Sequence, residues 1–71
     1  MKKKWLSELE HGEMFVLFRE IGYKGNLYYA GGNREDIAKH GYRAIKDITN
    51  KRFYFCKNIE VYSFGLIIKD V

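Results

Sequence analysis

Proline is absent and cysteine occurs once among the 71 residues. Without proline the chain is neither collagen-like nor a proline-rich recognition segment. The single thiol, Cys56, makes no internal disulfide and no four-thiolate zinc site. Long apolar runs are missing as well: none approaches the ~18–20 residues a helix needs to cross a bilayer, so no membrane span is expected. Internal repeats and low-complexity linkers are also absent. A second independent core would need roughly twice this length, which leaves one domain, residues 1–71. What remains is rich in folding material, with 46% apolar, 17% aromatic and 31% charged residues. Disordered chains have the opposite balance.

The formal charge is +4, and Lys2, Lys3 and Lys4 carry most of it. Without those three, ten Lys and Arg face nine Asp and Glu, so the body is close to neutral. Residues 5–33 hold Arg19 and Lys24 against Glu8, Glu10, Glu13 and Glu20. Residues 34–57 hold Arg34, Lys39, Arg43, Lys46, Lys51, Arg52 and Lys57 against Glu35, Asp36 and Asp47. This distribution reads either as a solubilising mixture of signs or as an acidic and a basic face. The Met-Lys-Lys-Lys start has the charge of a secretory leader. Ser7, Glu8, Glu10, His11 and Glu13 interrupt any apolar stretch behind it, so a cytoplasmic protein is expected. Residues 1–4 are expected to be a flexible basic terminus, 5–64 a barrel, and 65–71 a tail or an extra strand.

Along the body, apolar spacing predicts strands. Ser7-Glu8-Leu9-Glu10 suggests a helical turn capped by Ser7, with Trp5, Leu6 and Leu9 packing as a lid. Met14 to Phe18 is a short strand-forming run, with Phe15 and Leu17 facing inwards and Met14, Val16 and Phe18 outwards. Tyr23-Lys24-Gly25-Asn26 is a turn, and Leu27-Tyr28-Tyr29-Ala30 completes a hairpin. Residues 33–41 suit a two-turn helix capped by Asn33 and stopped by Gly41, or a structured loop. Tyr42–Ile48 and Lys51–Cys56 form a second hairpin, with Asn50 as the left-handed turn residue. Ile59, Val61 and Ser63 alternate with Glu60, Tyr62 and Phe64, and Leu66-Ile67-Ile68 follows as a sixth strand or a packed tail. Several short strands at close spacing favour a barrel, which removes exposed edges. In so small a core the aromatics Phe15, Tyr29, Phe53 and Phe55 are expected to be structural.

The string Leu6-x-x-Leu9-x-x-Gly12-x-x-Phe15, with Gly12-Glu13-Met14-Phe15 as its strand start, resembles the opening of small uncharacterised bacterial and phage proteins. Leu27-Tyr28, Ala44-Ile45-Lys46-Asp47-Ile48, Thr49-Asn50 and Ile59-Glu60-Val61 extend the likeness over residues 6–62. Two positions depart from it: Asn50 stands in place of Gly, and Lys46 is an extra residue that calls for a bulge. The resemblance implies a small five- or six-stranded SH3-like barrel, mainly β with one short helical insertion. It is often phage-encoded and lacks known catalytic residues.

Catalytic chemistry finds little support. His11, His40 and Cys56 match no zinc spacing, and neither histidine is linked in sequence to the thiol. Glu8, Glu10 and Glu13 cluster locally as a solvated turn would. Gly31-Gly32 precedes a helix start but lacks the Lys-Ser/Thr of a phosphate loop. No enzyme, cofactor or metal is expected. Tyr28, Tyr54 and Tyr62 with Arg43, Lys51 and Arg52 form a candidate partner-binding set. The near-neutral body favours a protein partner, with nucleic acid as the alternative. Met14, Val16 and Phe18 are the candidates for self-association as a homodimer.

Overall fold

The computed structural model describes residues 1–17 and 25–69. Among these, six strands form one antiparallel sheet: β1 (Lys2–Trp5), β2 (Glu13–Leu17), β3 (Tyr28–Ala30), β4 (Arg43–Asp47), β5 (Arg52–Cys56) and β6 (Glu60–Ile67). Their order is β1-β6-β2-β3-β4-β5. β1 and β5 are therefore the two edges, and the sheet is open where a closed barrel was expected. It is nevertheless curled. The backbone from Cys56 to Glu60 reaches at most roughly 14 Å, whereas four strand spacings in a flat sheet amount to about 19 Å. Three residues could not otherwise connect β5 to β6.

Burial alternates along β4, most of β2 and the start of β6, whereas all three residues of β3 are buried and β5 is exposed on both faces. Phe15, Tyr28, Ala30, Ile45 and Val61 point inwards and join Leu6 and Leu9 in one cluster, with Leu17, Ile37, Cys56 and Ile59 packed around it. Phe15 and Tyr28 lie opposite each other on β2 and β3, with rings stacked at 5.5 Å. Leu6 and Leu9 close the cluster as the expected lid, while Trp5 stays largely exposed.

Several local details differ from the sequence reading. Lys2–Trp5 are a strand paired with β6 from Lys2↔Ser63 to Trp5↔Glu60, so the basic terminus is ordered into the sheet. Each lysine supplies a backbone ladder whatever its side chain prefers. The lid turn is a 3-10 helix over Leu6–Glu8, and Glu8 caps it by accepting from Trp5 N at 2.9 Å. Ser7 instead donates its backbone N–H to Asn58 Oδ1. Helix α1 spans Asp36–His40 after Glu35, so Asn33 is not the cap, but Gly41 (φ 83°) ends it in the left-handed conformation as expected. In the β4–β5 turn the left-handed residue is Lys51 (φ 56°) rather than Asn50, whose amide and backbone N–H both bond the Asp47 carboxylate. Pairing through β4 is unbroken on both sides, so Lys46 needs no bulge. The irregularity falls between β2 and β6, where the register slips around Gly65 (φ 73°) and Leu66-Ile67 continue the same strand.

Candidate functional site

Of the six residues proposed for partner binding, the structure keeps three together. Lys51, Arg52 and Tyr54 lie on or beside β5 and are exposed. Tyr28 is buried against Phe15 and is part of the core. Tyr62 is half-buried on β6, opposite Lys3 and Val16. Arg43 is fully buried, which removes it from any surface. Its Nε donates to Gly31 O at 2.9 Å, and its Nη1 donates to Leu6 O and Leu9 O at 2.8 and 2.5 Å. The guanidinium thus fastens the lid to the sheet. Burial pushes its pKa down, with opposing help from Asp36, yet an arginine stays protonated.

A second buried polar group lies between β1, β2 and β6. Glu13, 3% exposed, accepts from Ser63 Oγ at 2.5 Å, from Lys4 Nζ at 3.1 Å and from Glu10 N at 3.1 Å. Burial alone would raise the Glu13 carboxyl; the bonds from Ser63, Glu10 and Lys4 outweigh it and hold the pKa below the ordinary value. Ser63 Oγ is itself buried and takes the Gly65 N–H, an arrangement that braces the β6 irregularity. Asp47 is treated alike. Burial favours its neutral form, but Asn50 and Asn26 donate to it and lower its pKa.

The aromatic residues of β5 give the largest departure from expectation. Phe53 and Phe55 are 63% and 80% exposed, and Tyr54 is 44% exposed. The register explains this. Phe53 lies opposite Lys46 and Phe55 opposite Ala44, on the face of the sheet away from the core, and Tyr54 lies opposite Ile45 on the other. No described element pairs with β5 beyond β4. Lys46 Nζ sits 5.1 Å from the centre of the Phe53 ring, a cation–π contact. Every second residue of an edge strand also directs its N–H and C=O away from its neighbour. The result is an aromatic strand with open backbone hydrogen-bonding groups and Lys51, Arg52 and Lys57 at its ends. Phe53, Phe55, Lys46 and Lys57 were missing from the sequence-derived set. The absence of any acid between Asp47 and Glu60 was a signal for Lys57, whereas the exposure of Phe53 and Phe55 and the place of Lys46 beside them follow from the sheet register.

The other candidates remain apart. Met14 and Val16 are half-buried, and Met14 lies opposite the buried Tyr29; Phe18 falls outside the described residues. Cys56 is half-buried, and its burial raises its pKa, which favours the inert thiol. His11 Nδ1 bonds the Gly32 carbonyl at 2.9 Å beside a shallow polar depression that also includes Glu10, Arg34 and Glu35. Arg34 and Glu10 pair across it at 3.3 Å. Among the described residues no cluster of His, Cys, Asp and Glu is arranged to hold a metal ion, and no helix is long and apolar enough to cross a membrane. No protein-family model, curated protein or solved structure matches the chain.

Proposed function

We propose that the protein is a non-catalytic binding module whose working surface is the β5 edge, and that its partner is a protein. The observation that carries this reading is the exposure of Phe53, Tyr54 and Phe55 together on an edge strand. A small fold gains most from burying its aromatics. Three left in water on one strand are poor stabilisers and good contacts, since aromatic anchors dominate protein interfaces. The short link from β5 to β6 and the curled sheet support assigning the fold to the SH3-like barrels, left open at β5. On that assignment, and on the resemblance of residues 6–62, the module is of phage or prophage type and modulates a host protein.

A second reading rests on the contact between Lys46 and Phe53 and on the neighbouring Lys51, Arg52 and Lys57. Bases stacking on aromatic rings beside a basic strand are the usual elements of single-stranded nucleic-acid binding.

Paired affinity capture by the wild type and by Phe53→Ser/Phe55→Ser separates these readings. The expected result is a protein retained by the wild type through nuclease treatment and moderate salt, and lost by the variant. Loss on nuclease treatment, or a steep decline with salt, selects nucleic acid. Equal capture by both proteins moves the working surface away from β5.

A further inference from the structure

Building on the assignment of β5 as the working edge, we infer that its occupant is an extended, acidic strand of the partner protein, added to the sheet beside β5. The charge pattern is the first argument. Between Asp47 and Glu60 the chain has Lys51, Arg52 and Lys57 and no acid. Asp47 is buried, and its carboxylate is occupied by Asn26 and Asn50. The salt bridges among the described residues join Lys4 to Glu13 and Arg34 to Glu10, so none of the three β5 bases is neutralised by one. Opposite charges facing across a strand pair stabilise it, and like charges destabilise it.

This pattern rules against a second copy of the chain. An antiparallel β5–β5 pair centred on Tyr54 would set each Lys51 opposite the other copy's Lys57, and a parallel pair would align all three bases with themselves. Nucleic acid fits the geometry less well. Phe53 and Phe55 share one face of the strand while Tyr54 occupies the other, so the three rings do not form one stacking platform. The open edge offers alternating N–H donors and C=O acceptors, which match a polypeptide backbone and not a row of phosphates. An added strand with acids at its ends meets Lys51, Arg52 and Lys57. Its apolar side chains, at alternate positions, fall on Phe53 and Phe55.

The test is a titration followed by backbone amide NMR. The probe is a short capped peptide with paired glutamates at both ends of an alternating valine–threonine stretch. Its controls carry lysine in place of glutamate, or N-methyl groups at alternate backbone nitrogens, and an oligothymidylate serves as the nucleic-acid arm. The expected result is saturable shifts in Arg52–Cys56 with the acidic peptide, abolished by N-methylation. Lys51→Glu/Lys57→Glu, both at exposed positions outside the strand, should weaken that binding roughly tenfold and make the lysine peptide the better ligand. Thermal melts confirm that this variant is folded. Equal binding of the acidic and lysine peptides at β5, or of the N-methylated one, overturns the inference while leaving β5 as the working edge. Shifts located elsewhere overturn both. Binding of the oligothymidylate alone, or of no probe, also overturns the acidic-strand assignment.

Discussion

The interior beneath the lid and the outer edge at β5 have exchanged the polarity expected of them. Inside, Arg43, Glu13, Asp47 and Ser63 are almost fully enclosed; outside, Phe53 and Phe55 face water. The enclosed charges are met by directed hydrogen bonds, Arg43 by three backbone carbonyls through Nε and Nη1 and Glu13 by Ser63, Lys4 and Glu10, while Arg43 Nη2 is buried without a partner among the described residues. The exposed rings have no comparable purpose within the fold. The other edge sharpens the contrast. β1 presents three consecutive lysines, the charged edge that discourages further strand pairing, whereas β5 presents Phe-Tyr-Phe. Polar residues at the first place hold the chain together, and apolar residues at the second face solvent.

The comparison breaks most readily at Arg43. Arg43→Ala leaves the carbonyls of Gly31 and Leu9 buried without their donor, at about 1–3 kcal/mol each. That loss is comparable with the entire stability of so small a domain, about 3–5 kcal/mol. Urea titration should therefore show no cooperative transition; a variant that melts like the wild type would show that the lid holds without the guanidinium.

Glu13→Gln is the next largest effect, a loss of about 1–3 kcal/mol at neutral pH in the same titration. It should also alter the acid limb. A carboxyl whose pKa is lower folded than unfolded adds stability above its unfolded value of 4.5, lost as pH falls through the folded one. Wild-type stability should thus decline below about pH 4.5, and Glu13→Gln should decline less steeply. Asp47, lowered in the same direction, keeps some slope in the variant. Identical pH dependence for the two proteins would contradict the role given to Glu13.

Phe53→Ser/Phe55→Ser should change stability by only about 0.5 kcal/mol per site, because little area is lost from the folded state. A loss above about 2 kcal/mol per site would make these rings core residues and end the contrast. Lys51→Gly is the smallest and opposite change. Relieving a non-glycine residue at φ 56° should add roughly 0.5 kcal/mol, after the greater freedom of glycine in the unfolded chain is counted. A small rise in melting temperature is the readout.

Alternation along the chain disclosed β2, β4, the inward Phe15 and the shared face of Val61 and Ser63, since a strand's two faces are written in its own sequence. It did not disclose β1. Three lysines carry no apolar signal, and the strand exists because β6 offers a ladder to pair with. Nor did it disclose which charges are enclosed. The partners of Arg43 are backbone carbonyls more than ten residues away, at Leu6, Leu9 and Gly31, invisible to any local pattern. Phe53 and Phe55 misled for a related reason. Hydrophobicity marks them for burial, but whether a second layer covers a given face depends on where the strand lies in the sheet, and β5 lies last.

Amide hydrogen exchange across the sheet, with and without the captured partner, tests the account most directly. The account predicts that binding slows exchange at alternate amides of Arg52–Cys56 and leaves Lys2–Trp5 unchanged. Protection that rises along β1, or at neither edge while the partner is bound, would contradict it.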